Sequence, residues 1–476
     1  IYDHMLSADQ IADIVEHEGG KPLDKNFAEA PEYDEENNQL ILPKAEGYDI
    51  EVFGSDNKAT VSLDGEVTRP LETQTVKLLY KITNKEDGSS FTTEKNAEVT
   101  IPARENSVEG ENEKPNVIPE LREWVGGTGE VDLTDARIVL GDEEFKAAAD
   151  TLEEDYEDIT GRNIDVVSGD KDSLQAGDIF LSKAEGEDML GSEGYYLNIG
   201  GDNADEDYVE IKATHNTGSL YGGISILQIL KQDEDGRDTL PKGLVKDYPE
   251  FEQRGMHLDV ARKWIPMEYL KDLAKQMSWY KLNLFAIHLS DNDIWEGLST
   301  ENGSNGAAQG WFRLESETFP ELTSKQHYTK EEFRNFQYES MDLGINVIPE
   351  LDTPGHALAY TQAWGEDTAR YDNPKYLDVL NPQVLENTKA LFDEYINGYN
   401  GGEPTFVGDY VNIGTDEYKT DGLPSNERTQ YREGFRQYCN DLLEYVNSTG
   451  KEAVFWGSLT ENSGETPVTT DAVMYA

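Results

Sequence analysis

Asp416 and Glu417 sit side by side in the stretch VNIGTDEY, residues 411–418. An adjacent pair of carboxyls suits acid–base chemistry. One can hold a proton to give away, its pKa raised by burial and by the neighbouring charge, while the other stays anionic. Alone, the pair would also read as an ordinary polar strand end. Val411, Asn412, Ile413 and Gly414 have the pattern of a strand, and neighbouring strand residues point to opposite faces. Two adjacent acids can therefore serve one site only where the strand is ending. The elements around them have to decide between the two readings.

From residue 251 onward the chain alternates strand, helix, strand. GMHLDVA (255–261), LNLFAIHLS (282–290), INVIPELD (345–352), YVNIGTDE (410–417), EAVFWG (452–457) and AVMYA (472–476) are six apolar strand candidates. PMEYLKDLAKQMSWYK, TKEEFRNFQYESMDLG, PQVLENTKALFDEYING and YREGFRQYCNDLLEYVNSTG are helical patterns between them. This order predicts parallel βα units. Asp259, Asp291 and Asp352 end three strands, and Asp416 and Glu417 end a fourth. In a (β/α)8 barrel the C-terminal strand ends face one common site, so the acids converge because the strand ends converge. A closed barrel needs eight strands, and six are counted before the sequence stops at Ala476. The expectation is a TIM-type catalytic barrel over 251–476 that is incomplete at its C-terminus, in a fragment of a longer protein.

The expected fold is multidomain. Residues 1–105 hold turn-separated, alternating segments such as ATVSLDGEVTRPL, which predict a β-sandwich-like module. It resembles the immunoglobulin-like modules of bacterial surface proteins. Residues 106–116 are a polar linker with a proline near its end. Residues 117–250 mix strands and helices, as an α+β domain. ARIVLG and DIFLSK read as strands, EEFKAAADTLEEDYEDITG as an amphipathic helix ended by Gly161, EGYYLNIG and DYVEIKA as a hairpin, and SLYGGISILQILKQ as a second helix.

Composition narrows the partners. The 476 residues include 96 acidic and 40 basic side chains, a formal net charge of −56. Such a surface repels nucleic acid and anionic membranes. Cys439 is the single cysteine, so an internal disulfide is impossible. No apolar run approaches the length of a membrane span. No signal peptide is visible, and a first residue of Ile rather than Met suggests a mature or trimmed chain. The acidic surface and the β module together suggest an extracellular or cell-surface bacterial protein. The sequence leaves its oligomeric state open.

Four motifs then fall in order at strand ends: RGMHLDVARKW, IHLSDNDIW, IPELDTPGHALA and NIGTDEY. Together they resemble the family 20 glycoside hydrolases, the β-N-acetylhexosaminidase family, over about residues 117–476. The family's second-strand motif usually carries a further histidine where Ala286 stands here. That departure resembles the lacto-N-biosidase branch, which removes galactose-β-1,3-N-acetylglucosamine as a disaccharide.

The resemblance implies a retaining exo-glycosidase that needs no cofactor and acts on an oligosaccharide or glycoconjugate. Family 20 is an exception to the two-carboxylate retaining scheme, because the substrate's own 2-acetamido group assists. Glu417 is then the general acid, and Asp416 holds the acetamide N–H. Arg262 grips hydroxyls of the terminal sugar. Asp291 and His356 form a polar relay beneath Glu417. Trp456 walls the acetamide methyl, Tyr475 supplies a further aromatic from the sixth strand, and Asp352 closes the third strand beside the site. Release of single N-acetylhexosamines, and a non-catalytic glycan-binding module that kept the fold, are the alternatives.

Several residues carry two readings. His356 could be a structural histidine. His257 reads as a barrel-facing or packing residue, and His288 as either packing or pocket. Trp295 and Trp311 are sugar platforms or loop anchors. DNADED and QDEDGRD lack the spacing and terminal glutamate of an EF-hand, so they read as solvated turns. No Cys/His cluster has zinc spacing, and no metal is expected.

Overall fold

The computed structural model describes residues 23–106, 108–201, 207–232, 236–292, 309–457 and 462–475. The chain forms two compact units, residues 1–252 and 253–476.

The first unit holds two sheets of consequence. Strands Tyr48–Ser55, Gln74–Asn84, Ser90–Thr92 and Ala97–Ile101 form a four-stranded antiparallel sheet. The alternation in Ala97–Ile101 is strict, with Ala97, Val99 and Ile101 buried and Glu98 and Thr100 exposed. A ribbon of Glu32–Asp34 and Gln39–Ile41 contributes Leu40 to the same core. Among the described residues this is one sheet and a ribbon around one core, rather than two full facing sheets. ATVSLDGEVTRPL makes only single bridges, such as Val61 with Val67, around the Asp64–Gly65 turn.

A seven-stranded mixed sheet follows, in the order Glu123–Asp132, Thr239–Asp247, Tyr195–Ile199, Val209–Ala213, Ile179–Lys183, Arg137–Leu140, Asp165–Ser168. Tyr195–Ile199 and Val209–Ala213 pair antiparallel. Helix Lys146–Thr160 ends at Gly161, whose φ of 70° closes a left-handed cap, a conformation that favours glycine. It packs against helix Asn216–Gln232.

In the second unit, six parallel strands lie in sequence order: β1 (Gly255–Asp259), β2 (Leu284–His288), β3 (Asn346–Thr353), β4 (Tyr410–Gly414), β5 (Glu452–Trp456) and β6 (Val473–Tyr475). Among the described residues the sheet is open, with β1 and β6 at its edges. Helices α1 (Met267–Trp279), α2 (Lys330–Asp342), α3 (Pro382–Ile396) and α4 (Ser425–Ser448) alternate with the strands. The start of α2 is set by a capping box. Glu332 N–H donates to Thr329 Oγ1 at 3.1 Å, and Thr329 N–H donates to Glu332 Oε2 at 2.9 Å.

Period-two alternation sorts the strand residues onto two faces. Phe285, Ile287, Val347, Val411, Ile413, Ala453 and Phe455 share one core with the apolar stripes of the helices. Ala286, Ile348 and Val454 cluster on the other face with Tyr410, Val473 and Tyr475. One step further along, that second face becomes polar. Asp259, His288, Glu350 and Asn412 stand in cross-strand register, and they form the floor of the site.

Candidate active site

β4 ends at Gly414, and the backbone then turns so that both acids reach one place. Gly414 has φ of 76°, Thr415 81° and Glu417 45°, while His356, after β3, has 49°. Three non-glycine residues in the left-handed region at one spot mark stored strain, which the surroundings must hold. Asp352 holds it. Its Oδ1 accepts the backbone N–H of Thr415 at 3.0 Å and of Asp416 at 3.4 Å. Behind the turn, the Tyr418 ring stacks on Phe435 with centroids 5.2 Å apart, and its hydroxyl donates to Leu377 O at 3.1 Å.

Gly414 is required twice over, by its φ and by its space. A Cβ there would lie 2.2 Å from Asp352 Oδ1. Gly414→Ala is expected to cost at least about 2 kcal/mol of stability, from backbone strain plus the clash. It should also abolish whatever the acid pair does. An unchanged urea midpoint would show that the turn does not have this geometry.

Beneath the acids runs a chain of buried polar contacts. His356 Nδ1 lies 3.0 Å from Asp291 Oδ1, and Nε2 faces Glu417 Oε2 at 3.6 Å and Asp416 Oδ2 at 3.7 Å. That Nε2 is buried and finds no hydrogen-bond partner among the described residues. Asp291 Oδ2 takes His288 Nε2 at 2.6 Å and Arg262 Nη2 at 2.6 Å. Arg262 also grips Asp259, Nη1 to Oδ2, at 2.9 Å. Asp291 stands in a short strand after β2, Ser290–Asn292, which pairs antiparallel with Gly310–Phe312. The sequence pattern missed that bend and ran the second strand straight to Ser290.

The charge states follow from these contacts. Burial alone would raise the Asp291 carboxyl, but hydrogen bonds from His288 and His356 hold it well below the usual range. Burial opposes protonation of His356, yet its bond to Asp291 and the nearby carboxylates lift it to about 9. Burial pushes Asp352 well above the ordinary carboxylate range; the charges of Glu350 and Asp291 add to this, and the two imidazoles oppose it. One expectation is corrected. Glu417 is half exposed rather than buried, and its pKa is lowered rather than raised. The main cause is Lys419, whose Nζ donates to Glu417 Oε1 at 2.9 Å.

The structure brings together Asp416, Glu417, His356, Asp291, Arg262 and Asp352, with Trp456 and Tyr475 on the neighbouring strands. The indole of Trp456 meets Tyr475 edge-on at 5.3 Å and His257 at 5.6 Å. Glu350, which lies within the third-strand motif but was given no role there, is fully buried and binds His257, His288, Asn412 and Trp456. Its sequence signals are an acid in the middle of a buried strand and its place within IPELDTPGHALA. Trp311 is an anchor, not a platform: it is 2% exposed, with the Arg313 guanidinium 4.6 Å from its ring centroid. Trp295, most of DNADED and the central part of QDEDGRD lie outside the described residues.

Among the described residues, four groups of acids and histidines stand close enough to hold an ion, including His257–His288–Glu350 and Asp291–Asp352–His356. In both, imidazole nitrogens already face carboxylate oxygens at 2.8–3.0 Å. An ion would have to displace those protons.

Residues 251–475 match the glycosyl hydrolase family 20 catalytic domain, and residues 114–248 match domain 2 of the same family. The chain belongs to glycosyl hydrolase family 20. Among its family 20 relatives is a lacto-N-biosidase of Bifidobacterium bifidum, 26% identical over 379 residues, covering 76% of this chain and 31% of that protein. A beta-hexosaminidase of Vibrio furnissii is 30% identical over 318 residues, covering 60% and 48%. The chain thus spans less than half the length of either relative. The fold is similar to that of a family 20 β-N-acetylhexosaminidase from Streptomyces coelicolor, with a TM-score of 0.59 and 22% identity over 76% of this chain and 69% of that one. A chitobiase of Flavobacterium johnsoniae gives 0.61 and 22% over 77% and 56%.

Proposed function

We propose that this chain carries the acid-bearing part of a retaining exo-glycosidase that cleaves β-linked N-acetylhexosamine from the ends of glycans. The observation that carries the reading is the placement of Asp416 and Glu417, both facing His356 Nε2 at the end of β4. In the first step the substrate's acetamide oxygen bonds to the anomeric carbon as the glycosidic C–O bond breaks. Glu417 gives its proton to the departing oxygen, and an oxazolinium ring forms. Asp416 accepts the acetamide N–H and offsets the positive charge. Water then attacks the anomeric carbon, Glu417 takes a proton from it, and the ring reopens with net retention.

The finer reading is release of the disaccharide galactose-β-1,3-N-acetylglucosamine from host glycans. Ala286 in the second-strand motif and the likeness to the Bifidobacterium lacto-N-biosidase support it. The second reading is release of single N-acetylhexosamines. Arg262 favours that one. Its fork of donors lies against Asp291, suited to gripping a free sugar hydroxyl that a β-1,3-linked galactose would remove. The excess of 96 acidic over 40 basic residues fits an enzyme at work outside a bacterial cell.

Two nitrophenyl glycosides separate the readings when offered to the intact protein, one of N-acetylglucosamine and one of galactose-β-1,3-N-acetylglucosamine. The disaccharide conjugate alone is expected to release nitrophenol, with the disaccharide left whole. Release from the monosaccharide alone would replace the first reading by the second. Binding without turnover of either would overturn both in favour of a glycan-binding module.

A further inference from the structure

Glu350 lies at the centre of the polar face of the second unit, and four of the other five strands of the sheet present a side chain to it. Its Oε1 accepts from His288 Nδ1 of β2 at 2.8 Å and from Trp456 Nε1 of β5 at 2.9 Å. Its Oε2 accepts from Asn412 Nδ2 of β4 at 3.2 Å and stands 3.0 Å from His257 Nε2 of β1. Asp352 on the same strand and Tyr475 on β6 feel its charge. An ionised carboxylate has about four acceptor positions, and all four are engaged here.

The contacts on His288 are decisive. Both of its nitrogens face carboxylate oxygens, Glu350 on one side and Asp291 on the other. An imidazole nitrogen without a proton would repel the oxygen it faces, so the ring must carry both protons. Trp456 and His288 share the same oxygen, Oε1. Orientation of the indole and protonation of the imidazole are therefore set by one group. From His288 the contacts continue through Asp291 and His356 to Glu417.

We propose that Glu350 is a positioning residue that sets both the orientation of the Trp456 pocket wall and the two-proton state of His288, and through Asp291 and His356 the environment of Glu417. The inference rests on the glycosidase reading above. It adds a link between the pocket wall and the proton-transfer end of the site, carried by a residue that touches neither substrate nor the reacting atoms.

The test compares the intact protein with Glu350→Gln, Glu350→Asp, Trp456→Phe and the double variant Glu350→Gln/Trp456→Phe. Rates are read against pH with an alkyl glycoside of whichever of the two sugars the protein releases, a leaving group that needs the Glu417 proton, and folding is checked by urea unfolding. Glu350→Gln is expected to lower kcat by about 10²-fold, the scale of a misplaced catalytic constellation. It should also raise KM. A further inflection should enter the profile between about pH 5 and 8, because His288 without its second carboxylate loses a proton in the accessible range. Glu350→Asp should recover part of kcat and of the profile. In the Trp456→Phe background the KM effect of Glu350→Gln should vanish while the kcat effect remains. A Glu350→Gln protein that unfolds at lower urea but keeps the parent's kcat, KM and pH profile would reduce Glu350 to a structural role and overturn the proposal.

A second readout needs no turnover. Downfield imidazole N–H proton resonances report His288 directly. The pair is expected to persist in the parent from about pH 5 to 8, the range over which an ordinary histidine discharges, and to be lost on raising pH in Glu350→Gln. If the parent cleaves neither glycoside, the glycosidase reading fails, and these resonances alone decide on Glu350. Their persistence in Glu350→Gln would overturn its role.

Discussion

Glu417→Gln should nearly abolish turnover of substrates with a poor leaving group. General acid catalysis typically contributes about 10²–10⁴-fold, and a loss of that size is expected for an alkyl or sugar aglycone. A nitrophenyl glycoside, whose leaving group departs without help, should lose much less in the first step. Equal losses on both substrates would remove Glu417 from the acid role. The surroundings of Glu417 add a pH signature. Lys419 at 2.9 Å lowers its pKa, with His356 and Arg262 adding to the effect. A carboxyl with a depressed pKa is mostly ionised at neutral pH, so the acid form is lost as pH rises. The profile is therefore expected to favour acidic conditions, with its alkaline limb set by Glu417.

The strands of the catalytic unit were legible because they read as apolar runs; the inner ones, β2 to β5, are mostly buried on both faces, while the edge strands β1 and β6 are not. All six candidates form strands, with ends that differ by a few residues. YVNIGTDE, for example, stops at Gly414. The ends matter, because the acids lie on a left-handed turn and not on the strand. Alternation would have sent Asp416 and Glu417 to opposite faces. Gly414, Thr415 and Glu417 at positive φ bring them to one side, and only the glycine hinted at that. The relay of Asp291 and His356 was legible through motif resemblance.

Other features were hidden for physical reasons. Glu350 sits in a buried strand next to an apolar run, and its meaning comes from partners on four other strands that no local pattern predicts. The depression of Glu417 by Lys419 depends on a side chain two residues along that turns back over the site. Trp311 read equally as a sugar platform or a loop anchor; it lies in Gly310–Phe312, paired with Ser290–Asn292, and is buried. The N-terminal segment ATVSLDGEVTRPL has strand alternation, yet packs into the core with only single bridges. Burial can impose alternation without a ladder.

Asp416→Asn carries the second large effect. Asp416 lies beside Glu417 and 3.7 Å from His356 Nε2, and its proposed work is on the acetamide, not on the leaving group. Removing its charge takes away both the acceptor for the acetamide N–H and the counter-charge to the oxazolinium. Loss of one preorganised electrostatic contact of this kind typically costs about 10²–10³-fold in kcat. The loss should be similar for good and poor leaving groups, because ring formation accompanies departure in both. This contrast with Glu417→Gln separates the two carboxylates by role. A dependence on leaving group as strong as that of Glu417→Gln would mean that Asp416 acts on proton transfer instead.

The central claim is that the substrate's own acetamide oxygen is the nucleophile. Its most direct test is the rate of the intact protein on nitrophenyl glycosides whose N-acetyl group carries zero, one, two or three fluorines. Fluorine withdraws electrons from the carbonyl oxygen and barely changes its size. If that oxygen attacks the anomeric carbon, kcat/KM falls steeply with each fluorine. A flat series would contradict the account, because the nucleophile would then have to come from the protein or from water.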